Sequence, residues 1–287
     1  MKRFVYAVLA ATVLFAGCSA GDDNIVSSQE GTTITVELGK SRTSFGESIN
    51  GERAIYWSSG DRIAANGEVS GEAQISGEQS GVATFAFSSE IGFPRHILYP
   101  ASFYEDATSI ILPRVQDFAE GTVATNTLPM ATMVANMGDA TKLHHLAAVV
   151  HLQLKADAEP RNNAVRKVEI RGRANEQMSG KFLIDYNTAM LAPTVAISPS
   201  VTNTENVLEL VTGSRVFGEL STDKITDVFV VVPAQEYANG FTVRVINEYG
   251  HYMDKEKTSG VTLTNGEIYK LPPFEFVPTG TIIRVEL

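Results

Sequence analysis

Residues Gly31 to Gly39 read GTTITVELG. Between the two glycines the apolar residues Ile34, Val36 and Leu38 alternate with Thr33, Thr35 and Glu37. A period of two places successive side chains on opposite faces of a strand, so this stretch reads as a strand with one dry face and one wet face. The alternation returns in VATFAFSS (Val82 to Ser89), VRKVEIRGR (Val165 to Arg173) and FTVRVINEY (Phe241 to Tyr249), while VFVVVP (Val228 to Pro233) is a continuous apolar run of the kind buried on both faces. Clusters such as GEVSGEAQISGEQSG (Gly67 to Gly81) and AISPSVTNTEN (Ala196 to Asn206) read as turns and loops between strands. No stretch holds the helical period over three turns. The expectation is an all-β chain, mostly antiparallel, in β-sandwiches, because a sheet with one wet face needs a second sheet over its apolar side.

The chain has 287 residues. That exceeds one ordinary sandwich and suits two of roughly 125 residues in tandem. The best border is KADAEPRNN, Lys155 to Asn163, where the apolar run LAAVVHLQL gives way to charge, a proline and paired asparagines. The expected division is therefore residues 31–155 and residues 156–287. No repeat of solenoid length is present.

Ahead of the first strand, Lys2 and Arg3 precede the apolar run FVYAVLAATVLF and then Ala16, Gly17 and Cys18. A basic start, a hydrophobic middle and small residues at the cut are the layout of a secretory signal, and the run is too short to span a membrane. Residues 1–17 are the expected signal peptide, residues 18–30 a lipidated linker. Cys18 is the only cysteine, which excludes a disulfide within the chain. The run Phe15-Ala16-Gly17-Cys18 resembles a bacterial lipobox, which implies cleavage before Cys18 and its acylation. Several acyl chains hold a protein firmly to a bilayer where one does not. Asp22-Asp23 is similar to the export tag of surface lipoproteins in Bacteroidota.

Losing residues 1–17 removes Lys2 and Arg3 and leaves 21 basic against 33 acidic residues, a net charge near −12. Nucleic acid is not an expected partner, since binding it depends on Lys and Arg neutralising phosphates and no basic stripe with interleaved aromatics is present.

The search for chemistry finds little. His144, His145 and His151 crowd into eight residues, but on a strand His144 and His145 point to opposite faces and no Cys or Asp accompanies them at ligand spacing. There is no Gly-x-Ser-x-Gly elbow, phosphate loop or His-Glu-x-x-His helix. Glu105-Asp106 reads as a surface pair, and Asp61-Arg62 as a turn leading into a strand. No enzymatic activity, cofactor or metal is expected. Trp57, the only tryptophan, reads either as a core anchor or as the exposed platform of a glycan-binding lipoprotein.

The run Tyr56-Trp57-Ser58-Ser59-Gly60-Asp61-Arg62-Ile63 resembles the signature near the start of fimbrillin-like (Mfa-like) lipoproteins, the subunits of type V pili in Bacteroidales. Further similar stretches follow in that family's order: SRTSFG from Ser41, LPRVQ from Leu112, LHHLAAVVHLQL from Leu143, SGKFLIDYNT from Ser179, VVPAQEYANGFTVRV from Val231 and LTNGEIYKL from Leu263. The resemblance implies a structural role in a cell-surface fimbrium that supports adhesion. It implies anchoring in the outer membrane through lipid on Cys18, with other fimbrial subunits and a host or bacterial surface glycan or protein as partners. It also implies maturation by an Arg-directed protease after the first strand, for which Arg42 and Arg53 are the candidates, in a stretch whose glycines and asparagine suit cleavage.

On that reading the groove left by the first strand is filled by a strand from a neighbour. The last seven residues, TIIRVEL from Thr281, repeat TTITVEL from Thr32 at five of seven positions, and Ile283, Val285 and Leu287 share the spacing of Ile34, Val36 and Leu38. Strand addition would satisfy the edge N–H and C=O groups while refilling the same apolar seat. The competing reading is that β-rich chains reuse such words, or that the two ends are neighbours in one sheet of one monomer. A monomeric glycan- or ligand-binding surface lipoprotein is the alternative function.

Overall fold

The computed structural model describes residues 31–38, 55–156, 164–186, 195–199, 206–211 and 220–282. Among them the regular structure is strand, apart from a single 3-10 turn at Ala101–Phe103, and most strand pairs are antiparallel. The protein is all-β. Cys18, Arg42, Arg53, Ile283, Val285 and Leu287 lie outside the described residues.

One seven-stranded sheet draws every strand from the first half, in the order Glu68–Val69, Ala64–Ala65, Arg95–Tyr99, Met130–Val134, Lys142–His145, Thr33–Leu38, Val82–Ala86. Its inner strands alternate between two cores. Ile97, Tyr99, Met130 and Leu143 face the core that holds Ile34, Val36, Leu38 and Trp57. Leu98 and Ala131 face the other way, onto Ile110, Leu112, Phe182 and Ile184. These last residues belong to a four-stranded sheet of Val195–Pro199, Gly180–Tyr186, Ser109–Leu112 and Tyr104–Asp106.

The second large core lies between two further sheets. One comprises Thr226–Pro233, Ala147–Lys155 and Ile268–Lys270, with Phe274–Glu275 also pairing on Ala147–Lys155. The other runs Gly280–Thr281, His251–Lys257, Phe241–Asn247, Val165–Gly172, Val207–Val211, Val115–Ala119, Thr122–Val123. Val150, Leu152, Val228 and Val230 from the first interleave with Val168, Ile170, Leu210, Val243 and Val245 from the second. Phe229 and Val231 face the opposite side with Ala147, Val149 and Leu128. The run VFVVVP is thus buried on both faces, as its unbroken apolarity requires.

The sheets do not divide the chain at Lys155/Ala156. Ala147–Lys155, which sequence places at the end of the first domain, pairs with Thr226–Pro233 from Ala147↔Pro233 to Leu154↔Thr226 and builds the second core. In the opposite direction, Gly180–Tyr186 pairs with Ser109–Leu112, and Val115–Ala119 runs parallel to Val207–Val211. A polar, proline-bearing stretch marks where a strand stops. It carries no information about which sheet the next strand joins, because that is decided by side chains distant in sequence.

Gln116 shows such a long-range tie. Thr226–Pro233 is an edge strand, so the outward amide groups of Val231 would be buried without partners. The Gln116 side chain donates to the Val231 carbonyl at 2.6 Å and accepts from its N–H at 3.0 Å, which closes that position.

Candidate assembly interface

The first strand lies inside its sheet. Along one edge it pairs antiparallel with Val82–Ala86, from Thr33↔Ala86 to Glu37↔Val82. Along the other it runs parallel to Lys142–His145 over Glu37↔Lys142 and Leu38↔Leu143 only. Ile34, Val36 and Leu38 are buried, whereas Thr33, Thr35 and Glu37 are exposed, so the alternation read in the sequence is the alternation of the seat. Leu38 N–H donates to the Gly81 carbonyl and Glu37 N–H to the Thr141 carbonyl, both at 2.9 Å. At the opposite end Thr32 is wrapped by the loop after Val82–Ala86. Its N–H donates to Ser89 O at 3.1 Å, its carbonyl accepts from Phe87 N at 2.8 Å, and its hydroxyl accepts from Ile91 N at 2.7 Å.

The floor of the seat is aromatic. Trp57 is 3% exposed and meets Phe85 and Tyr99 edge to face, with centroids 5.0 and 5.1 Å apart. Enclosed in this way, Trp57 is a core anchor and presents no face to a sugar. The residues after it explain its placement. Asp61 closes the turn by accepting from Ser58 N at 2.7 Å and takes the Tyr99 hydroxyl at 2.9 Å. Burial raises the Asp61 carboxyl above its ordinary value against the pull of both bonds, and burial followed by the Asp61 charge drives the Tyr99 hydroxyl upward as well. The Ser58–Asp61 turn is therefore a buttress beneath the first strand.

The histidines divide as strand geometry dictates. His144 is partly exposed and His145 is buried opposite Met130. Neither ring nitrogen of His145 has a hydrogen-bond partner among the described residues, and burial, then the neighbouring His144, lowers it from 6.5 to about 4. His151 stacks on Phe229 with ring centroids 4.3 Å apart, and its Nε2 lies 2.7 Å from Asp227 Oδ1. No group of three potential metal ligands occurs among the described residues. Asp106 accepts from Thr108 N at 2.8 Å and from Lys181 Nζ at 3.1 Å, and Lys181 also pairs with Glu105 at 3.7 Å. Asp106 falls well below the usual carboxylate range, chiefly through the influence of the neighbouring Ser109 hydroxyl and then through its bonds to Thr108 and Lys181. The acidic pair serves a turn.

At the other end of the chain, Gly280–Thr281 pairs antiparallel with the start of His251–Lys257, as Thr281↔His251 and Gly280↔Tyr252. Ile282 N–H donates to the Gly250 carbonyl at 2.8 Å. Beyond that point the partner strand runs out, because Gly250, Tyr249 and Glu248 form the hairpin between Phe241–Asn247 and His251–Lys257. Asn247 caps this hairpin by accepting from Tyr249 N at 3.0 Å and His251 N at 2.9 Å. The start of the terminal repeat thus sits in the second seven-stranded sheet and not beside Thr33–Leu38. Sequence reasoning passed over this hairpin, although the asparagine and glycine of INEYG mark a turn.

No protein-family model and no curated protein matches the chain. Among solved structures, it is similar to a candidate cell-adhesion protein from Bacteroides ovatus at 12% identity, covering 89% of this chain and 99% of that one with a TM-score of 0.46. It is similar to a fimbrial protein from Bacteroides ovatus at 13% identity, covering 86% of this chain and 50% of that one with a TM-score of 0.35. The tip fimbrial protein Mfa3 from Porphyromonas gingivalis aligns at 13% identity over 84% of this chain and 96% of that one, with a TM-score of 0.30.

Proposed function

We propose that this chain is a lipid-anchored subunit of an adhesive surface fibre, polymerising when the last strand of one copy takes the seat of the first strand in the next. The observation that carries the reading is the seat itself. A single strand, paired along one edge and at its last two residues along the other, buries Ile34, Val36 and Leu38, and the same three residue types recur at the same spacing as Ile283, Val285 and Leu287. The register at the far end supports it, since Thr281 pairs with His251, the first residue of a strand that turns away at Glu248–Gly250.

In this reading the role is structural and needs no catalytic group or cofactor. Acylated Cys18 holds the precursor at the outer membrane, facing outward, and a cut at Arg42 or Arg53 releases the first strand. Removing residues 283–287 tests it. The truncated precursor should melt with its parent, because its own first strand fills the seat, while Arg-specific processing yields no multimers. Multimers from the truncated chain, or a marked fall in the precursor's melting temperature, would refute strand exchange.

A further inference from the structure

We infer that the hairpin tip Glu248–His251 of one copy docks on the loop Ser88–Arg95 of the next copy, so that the two bodies touch where the exchanged strand passes between them. The inference rests on the strand-exchange reading above and adds to it a contact surface and a direction.

Continuity of the chain leaves no slack. Thr281 is paired with His251 and Ile282 N–H is bonded to Gly250, so the donor body holds the chain up to Ile282. Ile283, the counterpart of Ile34, is the next residue, and one strand residue advances only about 3.3 Å. The hairpin therefore arrives at the mouth of the seat together with the strand.

The mouth it reaches follows from the polarity of the repeat. If the last strand enters in the direction of the first, Thr281 falls where Thr32 lay, among Phe87, Ser89 and Ile91, and it brings the same hydroxyl for the Ile91 N–H. The residue before each threonine agrees as well. A Cβ on Gly31 would collide with the Phe87 carbonyl oxygen, so this position admits only glycine; Gly280 occupies the corresponding place in the repeat, where the ring of its own Tyr252 also crowds out a Cβ. A segment entering in the opposite direction would put Leu287 at the Thr32 end and leave the glycine outside.

The two surfaces suit each other. The donor tip offers Tyr249 at 60% exposure beside Ile282 at 40%, with the carboxylate of Glu248 adjacent. The acceptor loop carries Phe93 with the Arg95 guanidinium 4.1 Å from its ring centre, together with exposed Glu90. An aromatic tip meets a cation-faced aromatic, and a carboxylate meets that cation.

Cysteine cross-linking tests this in the mature chain carrying Cys18→Ser, processed with an Arg-specific protease and oxidised after assembly. One copy bears Tyr249→Cys, and its mixed partner bears either Glu90→Cys beside the Thr32 end or Ala140→Cys beside the Leu38 end. The expected result is a disulfide-linked dimer with Glu90→Cys and none with Ala140→Cys. Multimers that link through Ala140→Cys, or through neither, overturn the docking and leave strand exchange standing. Failure of the Cys18→Ser parent to form multimers refutes strand exchange, and the docking with it. If Tyr249→Cys alone prevents assembly, Glu248→Cys on the same tip replaces it and the same outcomes apply.

Discussion

Truncating Ile34 separates the two lives of the seat. Ile34 is 3% exposed and lies opposite Phe85 in the antiparallel register, so Ile34→Ala removes three carbons from a closed core. Core truncations of this size cost about 2–5 kcal/mol once the residual cavity is included. For a protein of this size each kcal/mol moves the melting temperature by about 2–4 °C, which gives a fall of roughly 4–20 °C in the unprocessed precursor. The variant's multimers should be as resistant to heat as the parent's, because their seat is filled by Ile283 from the neighbour. Ile283→Ala should do the reverse, leaving the precursor unchanged and weakening the multimer. The assay is thermal unfolding of the precursor beside heat resistance of the multimer ladder on a denaturing gel, for both variants. Equal weakening of precursor and multimer by Ile34→Ala would show that the first strand stays in its seat and would refute the exchange.

Three further outcomes follow from particular residues. Cys18→Ser should leave a full-length precursor that neither labels with fatty acid nor partitions with membranes, and fatty-acid labelling of the variant would contradict lipidation at Cys18. Limited digestion with an Arg-specific protease should cut first at Arg42 or Arg53 and leave the remainder folded; first cleavage at Arg161, Arg166 or Arg171 counts against this maturation route. His145 is held to about 4 in the folded chain against an ordinary 6.5, so the unfolded chain takes up the proton first as pH falls. Stability is then lost between about pH 6.5 and 4, by roughly 3 kcal/mol for this group. Denaturant midpoints at pH 7 and pH 4 should show this component disappearing in His145→Leu, and an unchanged pH dependence in that variant would refute the burial argument.

What the sequence shows of this fold is what local chemistry decides. Ile34, Val36 and Leu38 announce a half-buried strand because the period of two is a property of seven consecutive residues, and Val228 to Pro233 announces a doubly buried one by the absence of polar residues. The enclosure of Trp57 was one of two open readings, and the structure decides it through Phe85 and Tyr99, both distant in sequence. The Asp61–Tyr99 bond spans 38 residues and the Gln116–Val231 clasp 115. Nothing in the composition of either segment names its partner. The division of the chain fails to read for the same reason, since pairing partners such as Ser109–Leu112 and Gly180–Tyr186 are brought together by the whole sandwich. At the terminal repeat the five-of-seven match is visible at once. That the repeat begins beside this hairpin becomes visible only once the register of Thr281 on His251 is known.

On the proposed strand exchange, the need for a cut follows from the near-identity of the two strands. Burial of three aliphatic side chains contributes about 1.5–3 kcal/mol each, a large share of the 5–15 kcal/mol that stabilises an ordinary domain. An incoming strand would contribute it almost equally, because Ile283, Val285 and Leu287 repeat Ile34, Val36 and Leu38. With the chain intact, a tethered strand competes at an effective concentration on the order of millimolar, and a neighbour's strand at lower concentration loses. After cleavage on this reading the tether would be gone and the resident strand, once released, diluted away, whereas the incoming strand would stay tethered to a body docked at the mouth of the seat. The direction of such an assembly would therefore be set by which strand is covalently held nearby and not by which one fits better. For that reason a repeat that matches the first strand closely, rather than improving on it, would be sufficient to drive strand exchange after a cut and unable to drive it before.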